Sequence, residues 1–347
     1  MYIKRILVIV SLLGLVALAG FSYYIWHVIF TPNTRFEAPT AEIFIPTGAN
    51  YLQVREQLKP LLEDIDDFDV VAQKKEYVNN IKPGRYIIKK GSNNNDLINT
   101  LRSDNRPVWV TFNNQERLED LAGRVAQQIE ADSVALLQAM KDTVFLSGNG
   151  FRLENALNMY VPNKYEFFWN TSATDFRERM LKEYQRFWTQ ERLDKAEEIG
   201  LTPHQVMVVA SVVQKETAKV DERPRVAGVY MNRIENGWKL EADPTVIYAI
   251  KERTQNFDTI IRRVLYKDLE LDSPYNTYKY ASLPPGPIAM PDISSIDAVL
   301  NHEEHDYFYF VANVENFGYH KFAKTLAQHN RNKQEYINWI NQTGIRR

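Results

Sequence analysis

Glu216 is the residue whose surroundings point most directly to chemistry, because it is an acid set among valines. Its segment, Leu201 to Val220, reads LTPHQVMVVASVVQKETAKV. Thr202 can cap a helix and Pro203 suits the first helical position, so the sequence predicts a helix from about Pro203 to Val220. At about 100° per residue, Val206, Val209, Val213 and Val220 share one narrow stripe, with Glu216 in its middle. Apolar surroundings raise a carboxyl pKa toward neutrality, which suits a general acid. The plainer alternative is a small rotation that leaves Glu216 at the edge of the stripe, paired with a Lys or Arg.

Other chemistries find less support. With no cysteine, disulfides and thiolate metal sites are excluded. The 14 glycines never take the spacing of a phosphate-cradling or dinucleotide loop. His302 and His305 bracket two glutamates, but a zinc-protease helix needs its histidines four apart, so the reading is a polar helix end. Ser211 lacks the glycine-flanked elbow of a hydrolase nucleophile. A formal net charge of -2 without a basic stripe argues against nucleic acid. No metal or cofactor is expected. What remains is carboxylate chemistry at Glu216, with Glu222, Glu241 and Asp243 the nearest candidates for a second carboxylate. Asp243, just before Pro244, also reads as an N-cap for a helix over Thr245 to Ile250.

The elements that must position Glu216 follow from patterning. A chain of 347 residues that is 44% hydrophobic allows one large or two modest domains with a real core. After Lys4 and Arg5, the run Ile6 to Phe30 has no acidic or basic side chain except His27, and it is long enough to span a bilayer core of about 30 Å. Tyr23, Tyr24 and Trp26 sit where aromatics favour the membrane interface. Ala17, Leu18 and Ala19 offer a signal-peptide cleavage site, but the apolar run continues well past them, so an uncleaved anchor over 1–30 is the preferred reading. The basic pair places the body outside the cytoplasm, as a single-pass protein of the cytoplasmic (inner) membrane.

Residues 31–41, with two prolines, read as a linker. Strand, helix, helix and strand then follow over Glu42 to Ile45, Tyr51 to Leu61, Phe68 to Val78 and Arg85 to Lys89. A helix at Asp96 to Arg102, a strand at Val108 to Phe112 and a helix near Gln115 to Ile129 complete a compact α+β module. Beyond it, helical pattern runs from Ala131 to Tyr160, YVPNKYEFFW forms an aromatic loop or strand, and Arg177 to Ile199 reads as one long charged helix. Helices at Arg225 to Asn236, Asp297 to His302 and Thr325 to Ile340 frame a rigid Leu283 to Ile288 loop and a hairpin of Tyr307 to Asn313 with Tyr319 to Phe322.

Taken together, these blocks resemble a known family. Glu216 in VVQKET, then Glu222, Arg223 and Pro224, VAGVYMNR with Asn232 and Arg233, ADPTVIYAI, YNTY at Tyr275 to Tyr278, LPPGPI and Pro291 are similar, in order, to the YceG-like (MltG) endolytic murein transglycosylases. YFYFVAN and FGYHKFAKTLAQHN resemble that family's terminal hairpin and helix. KPGRY at Lys82 to Tyr86 and VPNKYEF at Val161 to Phe167 resemble its LysM-like module and bridge, although Asn163 and Lys164 stand where Asp and Thr are expected. The resemblance implies an α+β chain with a LysM-like module over 42–112 and a mixed α/β catalytic domain over 113–347.

It also implies cleavage between N-acetylmuramic acid and N-acetylglucosamine inside glycan strands, leaving a 1,6-anhydro end, with Glu216 as acid and base. One carboxyl group suffices for that route, because the sugar's own 6-hydroxyl attacks and no water is needed. Hydrolytic glycosidases generally use two carboxylates. Asn232, Asp243, Thr245, Tyr248, Tyr275, Asn276 and Tyr278 are the candidate substrate-binding residues, since amides and hydroxyls suit sugar polar groups and tyrosine faces pack on sugar rings. Each could instead be a loop or core residue. The implied partners are peptidoglycan strands, the membrane and peptidoglycan synthases. The alternatives are a non-catalytic glycan-binding scaffold for those synthases, and a true hydrolase of the same bond.

Overall fold

The computed structural model describes residues 2–343 and resolves into two units. The first comprises Met1–Val110, Ala126–Ala131 and Tyr165–Ser172, and the second comprises Thr111–Val125, Asp132–Lys164 and Ala173–Arg347.

In the first unit, α1 (Tyr2–Phe30) has a mean hydropathy of 2.4 over its most apolar window, none of which is buried by protein. It is long and apolar enough to cross a membrane. Only its last turns meet the protein core, through Val28. Strand β1 (Thr40–Ile45) pairs antiparallel with β2 (Gly84–Lys89), Thr40 opposite Lys89 and Ile45 opposite Gly84. Between them lie α2 (Tyr51–Leu58) and α3 (Ile65–Lys74), and α4 (Asn94–Ser103) follows. The strand, helix, helix, strand order is the expected one. Local chemistry fixes the starts: Asn50 and Gln53 form a capping box on α2, Asp64 caps α3, and Asn93 caps α4. Ile43, Ile45, Val54, Leu58, Phe68, Tyr86 and Leu97 are part of one core.

Residues 31–41, which read as a linker from their prolines, are instead tied down. Buried Asn33 donates to the Asp64 carbonyl at 2.6 Å and to Asn94 Oδ1 at 2.7 Å, and accepts from the Asp64 amide at 2.8 Å. Asn94 in turn donates to the Val28 carbonyl at 2.8 Å, joining the base of α1 to α4. A buried amide with all these bonds made is costly to pull loose.

The second unit is mostly helical. Strands β3 (Pro107–Phe112) and β4 (Asn163–Phe168) are divided between the two units, and the second unit is otherwise built from α5 (Leu118–Ala126), α6 (Ser133–Met140), α7 (Thr143–Gly148), α8 (Ala173–Phe187), α9 (Gln190–Glu198), α10 (Pro203–Glu216), α11 (Arg223–Glu235), α12 (Asp243–Thr254), α13 (Ile293–Leu300), β5 (Tyr309–Ala312), β6 (His320–Ala323) and α14 (Leu326–Thr343). The chain crosses between the units inside β3 and at β4. The long helix expected from Arg177 to Ile199 is two, broken at Trp188 and Thr189, because Thr189 caps α9 by accepting from the Arg192 amide. Helix α12 begins at Asp243 with Ala242 as its cap residue, so Asp243 lies in the first turn and is not the N-cap.

Helix α10 is the hub. Thr202 and Gln205 form its capping box, with Pro203 at the first position. All eight residues from Val206 to Val213 are buried, so the helix is apolar around its whole girth and not along one stripe. Helices α9, α11, α12 and α13 pack on it. Ser211 is buried and donates to the Val208 carbonyl at 2.7 Å while accepting from the Ile288 amide at 3.1 Å, which pins the LPPGPI loop to α10.

That loop passes the Glu154 backbone so closely that a Cβ on Gly286 would stand 1.7 Å from the Glu154 carbonyl oxygen. Gly123, inside α5, has open space where its Cβ would be. Gly286→Ala is therefore expected to destabilise the fold by about 3 kcal/mol or to prevent folding, as overpacking against backbone does. Gly123→Ala should be neutral or stabilising by about 0.5 kcal/mol. Urea denaturation of both variants checks this, and a Gly286→Ala protein as stable as the parent would contradict the close approach.

Candidate active site

Helix α10 stops at Glu216, four residues short of the expected end at Val220. Thr217 turns extended, at φ -134° and ψ 132°, and its hydroxyl donates to Glu222 at 2.9 Å. Val220, counted as part of the apolar stripe, is 56% exposed beyond the helix. Glu216 thus ends a buried helix and emerges into a cleft of about 360 Å³, instead of sitting in the middle of a core stripe. The cleft is lined by Glu216, by Tyr230 and Arg233 of α11, by Glu241, Asp243 and Tyr278, by Tyr309 and Phe310 of β5, and by Leu326, His329, Asn330 and Lys333 of α14.

The Tyr230 hydroxyl donates to Glu216 Oε1 at 2.6 Å. As a residue Glu216 is only partly covered, but its carboxyl lies deep enough that desolvation dominates and raises the pKa to about 7. The Tyr230 bond, His320 and Arg233 pull it down, and the charge of Asp243 pushes it up. Neither Lys nor Arg pairs with Glu216 among the described residues. Arg233 is itself engaged elsewhere: it donates to the Phe308 carbonyl at 2.9 Å and to the Leu240 carbonyl, and it lies 3.9 Å from the Glu241 carboxylate.

Asp243 Oδ1 accepts from the Tyr278 hydroxyl at 2.6 Å, so two of the predicted binding residues meet in the cleft. Glu241, the third acid there, has a φ of 47°, a left-handed conformation uncommon outside glycine and of the kind found at functional sites. Glu222, weighed as a second carboxylate, is committed elsewhere. It accepts from the His320 amide at 2.7 Å, from Thr217, and lies 2.9 Å from His320 Nδ1. Desolvation would raise the Glu222 pKa, but these bonds hold it below the ordinary value. The three contacts fasten β6 to the turn that follows Glu216. Lys215 and Arg223, cations close to Glu216 in sequence, pair with Glu116 and with Ser294 and Asp292 respectively.

The remaining predicted site residues lie outside this cleft. Asn232 donates to the His305 and Tyr307 carbonyls at 2.7 and 2.9 Å, holding that segment against α11. Thr245 is fully buried and bonded to the Ala242 carbonyl and to Thr277. Asn276 is fully buried and donates to the Leu269 and Leu271 carbonyls, both at 2.8 Å. Tyr248 and Tyr275 contact each other, with ring centroids 4.6 Å apart, at a separate depression. Sequence reasoning did not single out Tyr230, Tyr309, Phe310 or the α14 residues. Tyr230 was recoverable, since it lies 14 residues after Glu216 within a quoted block. The α14 face was not, because nothing local connects it to Glu216.

A mostly helical unit that carries one desolvated carboxyl at the end of a buried helix, with a tyrosine donor and a polar far wall, defines an acid/base site for a polar substrate. The chain belongs to the YceG-like family, whose model matches residues 43–335. It is 28% identical over 339 residues to an endolytic murein transglycosylase of Bacillus subtilis (strain 168), covering 90% of this chain and 89% of that relative. It is 26% identical over 370 residues to an endolytic murein transglycosylase of Streptococcus pneumoniae serotype 2, covering 97% of this chain but 65% of that longer relative. A 2.6 Å crystal structure of a YceG-like protein from Listeria monocytogenes matches with a TM-score of 0.56 and 26% identity, over 84% of this chain and 98% of that one.

The raised pKa has a stability consequence. Below about pH 4.5 Glu216 is protonated in both the folded and the unfolded chain; above about pH 7 the folded state must hold an unwanted charge. Its contribution is therefore fully present at low pH and lost as pH rises from 4.5 to about 7. Glu216→Gln should match the parent near pH 4 and exceed its stability by on the order of 2 kcal/mol at alkaline pH, after discounting for partial exposure. Denaturant melts at several pH values test this, and a pH-independent difference would refute the raised pKa. Tyr230→Phe removes a donor to the ionised form and should raise the Glu216 pKa further, as read by NMR titration of the carboxyl carbon.

Proposed function

We propose that this protein is a membrane-anchored endolytic peptidoglycan transglycosylase, a lyase that cuts the N-acetylmuramic acid to N-acetylglucosamine bond within nascent strands and so terminates or trims their growth. The observation that carries this reading is Glu216: a carboxyl with a pKa near 7, open to a polar cleft and bonded to a single donor. A carboxyl so poised is present in both forms at neutral pH, which a group acting first as acid and then as base requires. In its protonated form Glu216 donates to the glycosidic oxygen as the bond from the muramoyl C1 breaks. The muramoyl 6-hydroxyl then bonds to C1, and the Glu216 carboxylate takes its proton. The cycle closes with the acid restored, an anhydro end formed and no water consumed.

The other groups fit supporting parts. Desolvation keeps Glu216 protonated, the like charge of Asp243 adds to it, and Asp243 offers negative potential to the developing oxocarbenium ion. Tyr230 orients the acid through its hydrogen bond. Tyr278 and Tyr309 present ring and hydroxyl surface to sugars. The relatives named as endolytic murein transglycosylases support the reaction class. For the first unit, the β1, α2, α3, β2 order with its antiparallel pair supports a LysM-like glycan-binding module over 42–112, ahead of a catalytic domain over 113–347. The apolar α1, with Lys4 and Arg5 in its first turn, supports a single-pass anchor in the cytoplasmic (inner) membrane with the body on the extracytoplasmic side. Acting on nascent strands there would bring the protein beside peptidoglycan synthases.

Muropeptide mass spectrometry of strands digested by the full-length protein in detergent tests the reading. Wild type should release anhydro ends, lighter by one water than hydrolytic ends, at internal positions. Glu216→Gln should lose activity by on the order of 10³-fold. For wild type, kcat/KM should fall as pH rises through about 7, because the acid form is lost. Reducing ends as the product, or full activity in the Gln variant, would overturn the mechanism.

A further inference from the structure

The cleft that holds Glu216 and Asp243 is also lined by one face of α14, made of Leu326, His329, Asn330 and Lys333, the i, i+3, i+4 and i+7 positions of a single stripe. This face is polar and has charge to spare. Lys333 is exposed and has no carboxylate partner among the described residues, whereas the nearby Lys321 is paired with Glu335 on the same helix at 2.7 Å. Arg233, another cation of the cleft, is held by the Phe308 and Leu240 carbonyls and lies 3.9 Å from the Glu241 carboxylate. His329 stacks on Tyr309, with centroids 5.3 Å apart and planes 23° from parallel, and its Nδ1 is buried without a hydrogen-bond partner. Burial, together with the charges of Lys333 and Arg233, keeps the imidazole below its usual pKa, so His329 offers polarity without charge. Among the described residues, this face therefore presents Lys333 as a cation without a carboxylate partner, beside the Asn330 amide.

We propose that Asn330 and Lys333 form an anion subsite that reads a carboxylate attached to the muramoyl residue bound at Glu216. This rests on the transglycosylase reading above. Muramic acid differs from glucosamine by its lactyl ether. That ether ends in a carboxylate when the strand is bare, and in a peptide bearing carboxylates when the stem is present. A carboxylate is what distinguishes one sugar of the alternating strand from the other in charge, so a cation across the cleft from the acid can set which of the two glycosidic bonds is presented. Negative potential from Glu241 and Asp243 lies around the acid and would repel the same carboxylate from that side, so the two walls orient the sugar together. Lys333 is a specificity-determining residue in this scheme, not a catalytic one.

The test uses the full-length protein in detergent and four soluble strand preparations: with stems, with stems whose carboxyls are blocked as neutral amides, stripped of stems by an amidase, and stripped with the lactyl carboxyl blocked likewise. Both kcat/KM for anhydro-end release and the Kd for strand binding are measured for wild type, Lys333→Gln and Lys333→Arg. Wild type should favour the unblocked member of at least one pair by about tenfold, as a charge-assisted bond would give. Lys333→Gln should reduce that ratio to near one, and Lys333→Arg should keep most of it. A preference confined to stem-bearing strands identifies the stem carboxylate as the ligand, and one confined to stripped strands identifies the lactyl group. A wild type without preference, or a Lys333→Gln protein that retains it, overturns the subsite. If no protein releases anhydro ends from any strand, the transglycosylase reading fails, while the Kd ratios still decide whether Lys333 reads the carboxylate.

Discussion

Taking a carboxyl group out of water is the constraint around which the second unit is arranged. A charge in apolar surroundings is disfavoured, and a folded chain can answer with a counter-ion, with hydrogen bonds, or with a proton. Here the counter-ions that lie in reach are occupied: Arg233 by carbonyls, Lys215 by Glu116, and Arg223 by Ser294 and Asp292. Among the described residues Tyr230 is the donor to Glu216, so the balance is left near neutrality. A single added cation would return Glu216 to the ordinary carboxylate range and make it a poor acid.

Holding that balance requires rigidity on every side. Helix α10 is enclosed by α9, α11, α12 and α13, which sets the height at which Glu216 emerges. Its end is fixed twice, by the Thr217 to Glu222 bond and by the two contacts from His320 of β6 to the same Glu222. Ser211 ties the proline-rich loop to the middle of the helix, and Gly286 lets that loop press on the Glu154 backbone. These are packing and backbone devices, yet their result is electrostatic. They hold water and stray charge away from one oxygen pair.

What the sequence revealed and what it hid divide along the range of the interactions. Strand, helix, helix, strand in the first unit, the caps of α10, and the terminal hairpin and helix were legible because propensity, capping and periodicity are local. Glu216 was legible as an acid among valines, although the stripe argument was wrong in its geometry: α10 is buried all round and ends at Glu216, and Val220 is exposed. Thr245 and Asn276 show the opposite failure. Both are residue types suited to sugars, but each saturates its bonds inside the fold. The far wall could not be read, because the contact of α14 with the cleft depends on the β5 and β6 hairpin folding back, a long-range event with no local signature.

That far wall has a consequence for when the site exists at all. Glu216 and its donor Tyr230 lie together in the chain, whereas Leu326 to Lys333 come far downstream. A growing chain threading out of a ribosome or a translocon presents the acid long before it presents the groove that closes over it. Until α14 has followed the hairpin into place, the cleft around Glu216 lacks the part of its lining made by Leu326, His329, Asn330 and Lys333. Completion of the site is thus coupled to completion of the fold, because four of the residues that line it come from the last helix.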